Sequence, residues 1–189
     1  MLKTRHHPRR LQQGLSMIEV LVSVVILGFG LLGMASLQSK VHTAEVEAYQ
    51  RSQALLALGD MSERINANRN AAASYVSTGT IGAGDTQPAS CATVAAGPAR
   101  DVCEWSNVLK GASESVANGF GLRGCIVQVQ APITTAPSCR PGVYEVTVIW
   151  QGLTNAVAPA QSCGSGAFGA TDGYRRAVSN RIAVSVPSC

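Results

Sequence analysis

From Leu15 to Ser39 the chain is apolar almost without interruption, LSMIEVLVSVVILGFGLLGMASLQS, and Glu19 is its only ionisable side chain. Residues 20–39 carry no charge; as a helix rising ~1.5 Å per residue, that run spans a hydrocarbon core of ~30 Å. Apolar or small residues then recur at helical spacing, Val41, Ala44, Ala48, Leu55, Leu58 and Ile65, and mark an amphipathic continuation. Glu47 with Arg51, and Asp60 with Arg64, stand four apart with the acid first, the favourable order on an exposed helix face. The cluster Asn66-Ala67-Asn68-Arg69-Asn70 reads as an exit. The pattern therefore predicts one helix from about Met17 to Asn66, ~75 Å long, with Gly59 as the place where it could bend.

Residues 70–122 are rich in Ala, Gly, Ser and Thr and predict loop, with one short helix near residues 103–110. Beyond them the period changes to two. Cys125–Gln130 and Val143–Trp150 alternate and carry β-branched and aromatic residues, Tyr174–Val178 and Arg181–Val186 suggest one or two more strands, and Pro132, Pro137 and Pro141 mark the connection between the first two. The expectation is an α+β head in which an antiparallel sheet packs on the exposed half of the long helix. Trp105 and Trp150 are read as packing residues of that head rather than ligand platforms.

Composition sharpens this. The 189 residues are 46% hydrophobic and 14% charged, with a formal net charge of +4. That excludes a highly charged disordered chain. Of the 15 basic residues, Lys3, Arg5, Arg9 and Arg10 precede Gly14, where there is no acid; the rest of the chain holds 11 of each sign. The basic excess is thus a short leader, not a nucleic-acid surface. A basic flank before an apolar helix stays in the cytoplasm while the remainder crosses.

The amino-terminal segment admits several readings. Gly33-Met34-Ala35 would serve as a cleavage site in an ordinary secretory signal, but a carboxylate at Glu19 costs insertion energy and has no part there. Gly28-Phe29-Gly30-Leu31-Leu32-Gly33 matches G-x-G-x-x-G, yet no second strand ending in an acid follows it, as a dinucleotide site requires. A third reading uses all the features together: basic leader, Gly14, Leu15, and Glu19 at the head of an apolar helix. Gly14-Leu15-Ser16-Met17-Ile18-Glu19-Val20-Leu21-Val22 resembles the class III signal of type IV pilins and pseudopilins, and Ile26–Gln38 looks most like PilV-type minor pilins. The resemblance is strong over residues 9–40 and faint beyond.

That resemblance implies cleavage between Gly14 and Leu15 by a membrane aspartyl peptidase, which also N-methylates Leu15. It implies that Glu19 of one subunit neutralises the terminal amine of a neighbour as the subunit leaves the lipid bilayer for a filament. Physically, a buried carboxylate is tolerable only when paired, so such a pair selects the register of stacked helices. The alternative for Glu19 is a plain seat in the headgroup zone. Gly28, Gly30 and Gly33 lack the four-residue repeat of a close-packed helix dimer; each weakens a helix interior by ~1 kcal/mol relative to alanine, which suggests local softening during assembly.

All six cysteines, at 91, 103, 125, 139, 163 and 189, fall in the head. An even number confined to the exported part points to disulfides. Their gaps contain no C-x-x-C, and the three histidines, His6, His7 and His42, lie outside the head, so neither metal nor cofactor is expected. Six cysteines permit 15 pairings; sequential pairs, Cys91–Cys103, Cys125–Cys139 and Cys163–Cys189, are the expectation. No Walker loop, H-E-x-x-H or G-x-S-x-G occurs, and without a histidine in the head a Ser or Cys nucleophile would lack its commonest base. Arg175, Arg176 and Arg181 form the late basic cluster, read as a solvated strand edge or an intersubunit contact.

The expected organisation is a cleaved leader (1–14), a transmembrane and filament-core helix (15–39), its amphipathic continuation (40–69) and a disulfide-tied head (70–189). The resemblance implies a non-enzymatic minor pilin that primes pilus assembly with other minor pilins, sits near the tip, and supports adhesion or twitching motility. Its implied partners are the major pilin, the prepilin peptidase, the inner-membrane assembly platform and a tip adhesin. Its implied places are the bacterial inner membrane with the head in the periplasm, then the pilus on the cell surface. A minor pseudopilin of a type II secretion system shares the same signal. A bitopic periplasmic binding protein or enzyme with an uncleaved anchor is the alternative of another class.

Overall fold

The computed structural model describes residues 16–114 and 121–185. Gly14, Leu15, Cys189 and the last residue of the strand expected at Arg181–Val186 lie outside them. The chain divides into two compact units between Ala44 and Glu45, and the carboxy-terminal unit takes its part of the helix from Glu45.

Helix α1 covers Met17–Ala67, 51 residues, and Gly59 lies inside it. In the amino-terminal unit its apolar side chains are exposed; Leu31 and Leu32 are 66% and 69% accessible. In the carboxy-terminal unit Gln50, Ala54, Ala57, Leu58, Met61, Ser62 and Ile65 turn inward, a stripe of period three to four. Of the residues expected to form the buried stripe, only Leu58 and Ile65 do; Ala48 and Leu55 are exposed, as are Val41 and Ala44 in the other unit. The inward side is the one that carries small residues, which let the sheet approach the helix backbone.

A 3-10 turn, Arg69–Tyr75, leads to a two-residue strand, β1 (Ile81–Gly82). Helix α2 spans Pro98–Glu114, longer than the short helix expected near 103–110. Its start has local causes: Gly97 adopts φ +101°, Pro98 supplies a preset φ at the first position, and Asp101 complements the dipole in the first turn. Strands β2 (Arg123–Gln130), β3 (Gly142–Gln151) and β4 (Arg175–Val184) complete an antiparallel sheet of order β1-β2-β3-β4. The two candidate strands at the carboxyl end are one, because β4 pairs without interruption from Gly142↔Val184 to Gln151↔Arg175.

One face of the sheet, with Ile126, Tyr144, Val146, Val148, Trp150, Ile182 and Val184, packs on the helix stripe and on Trp105 and Leu109 of α2. Trp105 is fully buried, donates Nε1–H to the Ala57 carbonyl at 2.8 Å, and rests its ring on Gly124. A Cβ there would stand 2.1 Å from the Trp105 ring, so β2 needs glycine at that point. Trp105 and Trp150 are core residues. On the other face the β3–β4 connection folds back, burying Ile149, Cys163 and Phe168 in a second small cluster. The whole is an α+β arrangement of long helix and antiparallel sheet.

Candidate assembly surface and the contacts that shape it

Helix α1 opens next to Ser16, whose carbonyl accepts the Glu19 and Val20 N–H groups at 3.0 and 3.3 Å. Glu19 therefore sits in the first turn, where the dipole favours a carboxylate, and it is exposed. Ser23 satisfies its hydroxyl on the Glu19 carbonyl at 2.7 Å, so the polar side chains here do not interrupt the apolar surface. The apolar stretch of this helix is wholly unburied, and the helix is long and apolar enough to cross a membrane. Gly28, Gly30 and Gly33 have open space where a Cβ would stand. Packing among the described residues thus does not demand glycine at any of the three.

In the carboxy-terminal unit, α1 exposes a second apolar face of Ala48, Leu55, Tyr49 and Leu56, the last 68% accessible. The residues first expected to seal the head instead lie on this open side. Asp60 and Arg64 pair at 3.1 Å, in the order the sequence suggested, and Arg64 also reaches Glu104 at 2.7 Å and Asp101 at 3.2 Å on α2. Tyr75 donates its hydroxyl to Asp101. Burial, and then this hydrogen bond, push the Tyr75 phenol up to about 12. One arginine thereby gathers α1 and α2, and Tyr75 draws the 3-10 turn to them. Burial alone would raise the Asp85 carboxyl. Hydrogen bonds from Lys110, the Gly82 N–H, Ser106 and the Gln87 N–H outweigh it and hold Asp85 below the usual carboxylate range.

Glu47 does not serve Arg51. It accepts the N–H groups of Leu153 and Thr154 at 3.1 and 3.2 Å and the Thr154 hydroxyl at 3.0 Å, with Arg176 at 3.8 Å. An acceptor for two successive backbone N–H groups outcompetes a screened pair on an open helix face. Of the late basic cluster, Arg175 and Arg176 are not on a solvated edge, whereas Arg181 is exposed on the edge strand β4. Arg175 is 3% exposed; it donates to the carbonyls of Gln161, Cys163 and Pro159 and lies 3.3 Å from Asp172. Arg176 donates to the Thr154 and Gly173 carbonyls, and Arg181 pairs with Glu145 across the strands at 2.6 Å. The first two arginines cross-brace an irregular connection whose backbone carbonyls have no ladder partners. No local sequence signal identifies Glu47 or Arg175, because every partner but Asp172 is set by the tertiary fold.

The structure joins Cys91 to Cys103, across the approach to α2, and Cys125 to Cys163. The second bond replaces both the expected Cys125–Cys139 and the expected Cys163–Cys189. Its cause is the fold-back of the β3–β4 connection, which lays Cys163 on the sheet face that Cys125 presents, while the proline-rich β2–β3 connection carries Cys139 to the opposite end of the sheet. Cys139 is disulfide-bonded too.

The carboxy-terminal unit also has a cleft of about 430 Å³ near the start of β3, bordered by Arg69, Pro132, Tyr144 and Val184. Among the described residues no group of three or more His, Cys, Asp or Glu is placed to hold a metal ion.

Two family models match the sequence and abut. One, described as a prokaryotic N-terminal methylation motif, covers residues 9–35; the other, described as type IV pilin Tt1218, covers residues 36–108. No curated protein and no solved structure matches. The methylation motif falls on residues 9–14, Glu19 and the exposed apolar run up to residue 35, and the pilin model falls on the rest of α1, the 3-10 turn, β1 and most of α2. Taken with the long helix and the disulfide-tied antiparallel sheet, they support a type IV pilin-like protein with a class III signal.

Proposed function

We propose that this chain is a PilV-like minor pilin, a structural and non-catalytic subunit that primes a type IV pilus together with other minor pilins and lies near the tip. The exposed, uncharged run of residues 20–39 behind Glu19 carries the reading. A small head cannot cover such a surface, so it requires lipid first and neighbouring helices afterwards. Residues 1–14 are a leader removed after Gly14, leaving Leu15 as the methylated amino terminus. Residues 15–39 are the membrane and filament-core helix, 40–69 its continuation, and 70–189 a head held in the periplasm and then displayed on the cell surface. The partners are the major pilin, the prepilin peptidase, the inner-membrane assembly platform and a tip adhesin; adhesion and twitching motility depend on the filament.

Glu19 supplies the register. In lipid, a carboxylate near one end of a helix is stabilised by the terminal amine of an adjacent subunit, and leaving one partner of such a pair alone costs ~3–5 kcal/mol. Gly28, Gly30 and Gly33, which no internal contact requires, soften the helix between its membrane and filament environments. The test is Glu19→Ala in cells that assemble pili. Insertion and cleavage continue, while the amount of the subunit in sheared filaments falls roughly tenfold or more. Unchanged incorporation would leave Glu19 as a headgroup-zone residue and remove the register argument.

A further inference from the structure

Residues 146–171 contain no charged side chain, and within them Leu153–Ala158 is exposed without a break. Val157 is 93% accessible and Leu153 47%, with Tyr174 beside the loop at 40%. An exposed apolar loop is ordinarily a loose one. This one is fixed: Glu47 holds Leu153 and Thr154, the Ala156 N–H donates to the Gly173 carbonyl at 2.8 Å, the Gly152 N–H to the Tyr174 carbonyl at 2.7 Å, and Arg175 holds the Pro159 and Gln161 carbonyls. A Cβ on Gly173 would stand 2.2 Å from the Asn155 side chain, so the return strand closes directly against the loop. The protein spends two buried or half-buried arginines and a glutamate on presenting apolar side chains to the outside.

The loop belongs to the end of the carboxy-terminal unit at which the chain enters. Its latch, Glu47, is eight residues after Ser39, the last of the uncharged run. We propose that this loop, with Leu153 and Val157 as its inserting side chains and Tyr174 at its edge, is a second membrane contact that rests in the headgroup region of the bilayer before assembly. The chemistry fits a lipid interface rather than a charged partner. The loop carries no charge of its own, its N–H groups at Gly152, Leu153, Thr154 and Ala156 and its carbonyls at Thr154, Pro159 and Gln161 are satisfied internally, and an amphipathic tyrosine flanks it. The proposal rests on the membrane-inserted state of α1 put forward above.

The test reconstitutes the full chain in phosphatidylethanolamine–phosphatidylglycerol vesicles containing brominated acyl chains, with Val157→Trp or, as a control on the outer sheet face, Val127→Trp. The native tryptophans are buried and shielded from both quenchers, so the added quenching reports the new site. The expected result is that Val157→Trp loses at least twofold more fluorescence to brominated lipid than the control and is shielded from aqueous iodide. Equal quenching of the two by iodide, with none by lipid, would overturn the loop contact. So would shielding that appears only as protein density in the vesicles rises, which would mean that a second copy covers the loop. Flotation of the same vesicles separates the two ideas: a chain that floats without lipid quenching at position 157 defeats this proposal alone, and a chain that does not float defeats the membrane-inserted state as well.

Discussion

Single positions carry much of the logic of this fold, and Gly124 is the sharpest case. Its missing Cβ is where the Trp105 ring lies, and Trp105 in turn bonds Ala57 across to α1. Gly124→Ala therefore displaces a fully buried indole and costs about 1–3 kcal/mol, as overpacked cores do. The melting temperature then falls by several degrees, whereas Gly166→Ser, in open space on an exposed loop, has only its own backbone conformation to disturb. Asp85 is a second such position. Its folded pKa is depressed, so its share of stability is present above the ordinary carboxylate pKa and is lost as pH falls through the depressed value. Tyr75 works in the opposite sense. Its raised pKa contributes stability that is complete below pH ~10 and is lost as pH rises through about 12. Asp85→Asn accordingly destabilises the unit by about 1–3 kcal/mol at neutral pH, and denaturant titrations at descending pH show the gap between variant and parent closing in acid.

At the scale of elements, the sequence shows clearly where period and composition agree. Helix α1 was legible because an uncharged run passes into an amphipathic one without a breaker, and its observed bounds lie within a residue of Met17–Asn66. Strands β2 and β3 were legible from their alternation. The direction of the amphipathic face was not, because α1 is apolar on two sides and only the sheet decides which is covered; Leu55 and Ala48 lie on the other. Strand β4 looked like two because Ser179, Asn180 and Arg181 break its apolar alternation, but those residues are where the strand turns polar side chains to solvent and, through Asn180, to Ser62 of the helix at 3.4 Å. Least legible was the β3–β4 connection. Its order comes from Arg175, from Asp172 at φ 51° and from a disulfide between cysteines 38 residues apart, none of which has a local signature. Arg175→Met removes the donor to three carbonyls while leaving Asp172 half-covered, a loss of about 3–5 kcal/mol if the loop cannot relax. Since the loop lies outside the main helix–sheet core, the expected readout is local: proteolysis or hydrogen exchange within residues 152–174 rises by at least tenfold, while β2 and β3 stay protected.

For the whole molecule, the two units have different requirements. The carboxy-terminal one has a continuous core under the sheet, ion pairs joining its helices and disulfides holding its connections. The amino-terminal one is the reverse: a helix whose apolar side chains are all exposed and whose glycines meet nothing among the described residues. A sequence that keeps such a surface needs an environment that the monomer does not contain, and the candidate site was legible to that extent, since leader, glycine, glutamate and apolar run are contiguous. What sequence could not supply was the second apolar face of α1 and the ordered, uncharged loop, because both are defined by what the tertiary fold leaves uncovered.

In the function proposed above, residues 1–14 are discarded and Leu15 becomes the amino terminus whose charge Glu19 answers. Mass spectrometry of the protein purified from cells that contain the prepilin peptidase measures it directly. The expected result is a chain that begins at Leu15 and carries one methyl group on its amino nitrogen; a chain with Met1–Gly14 still attached would overturn the proposed cleavage.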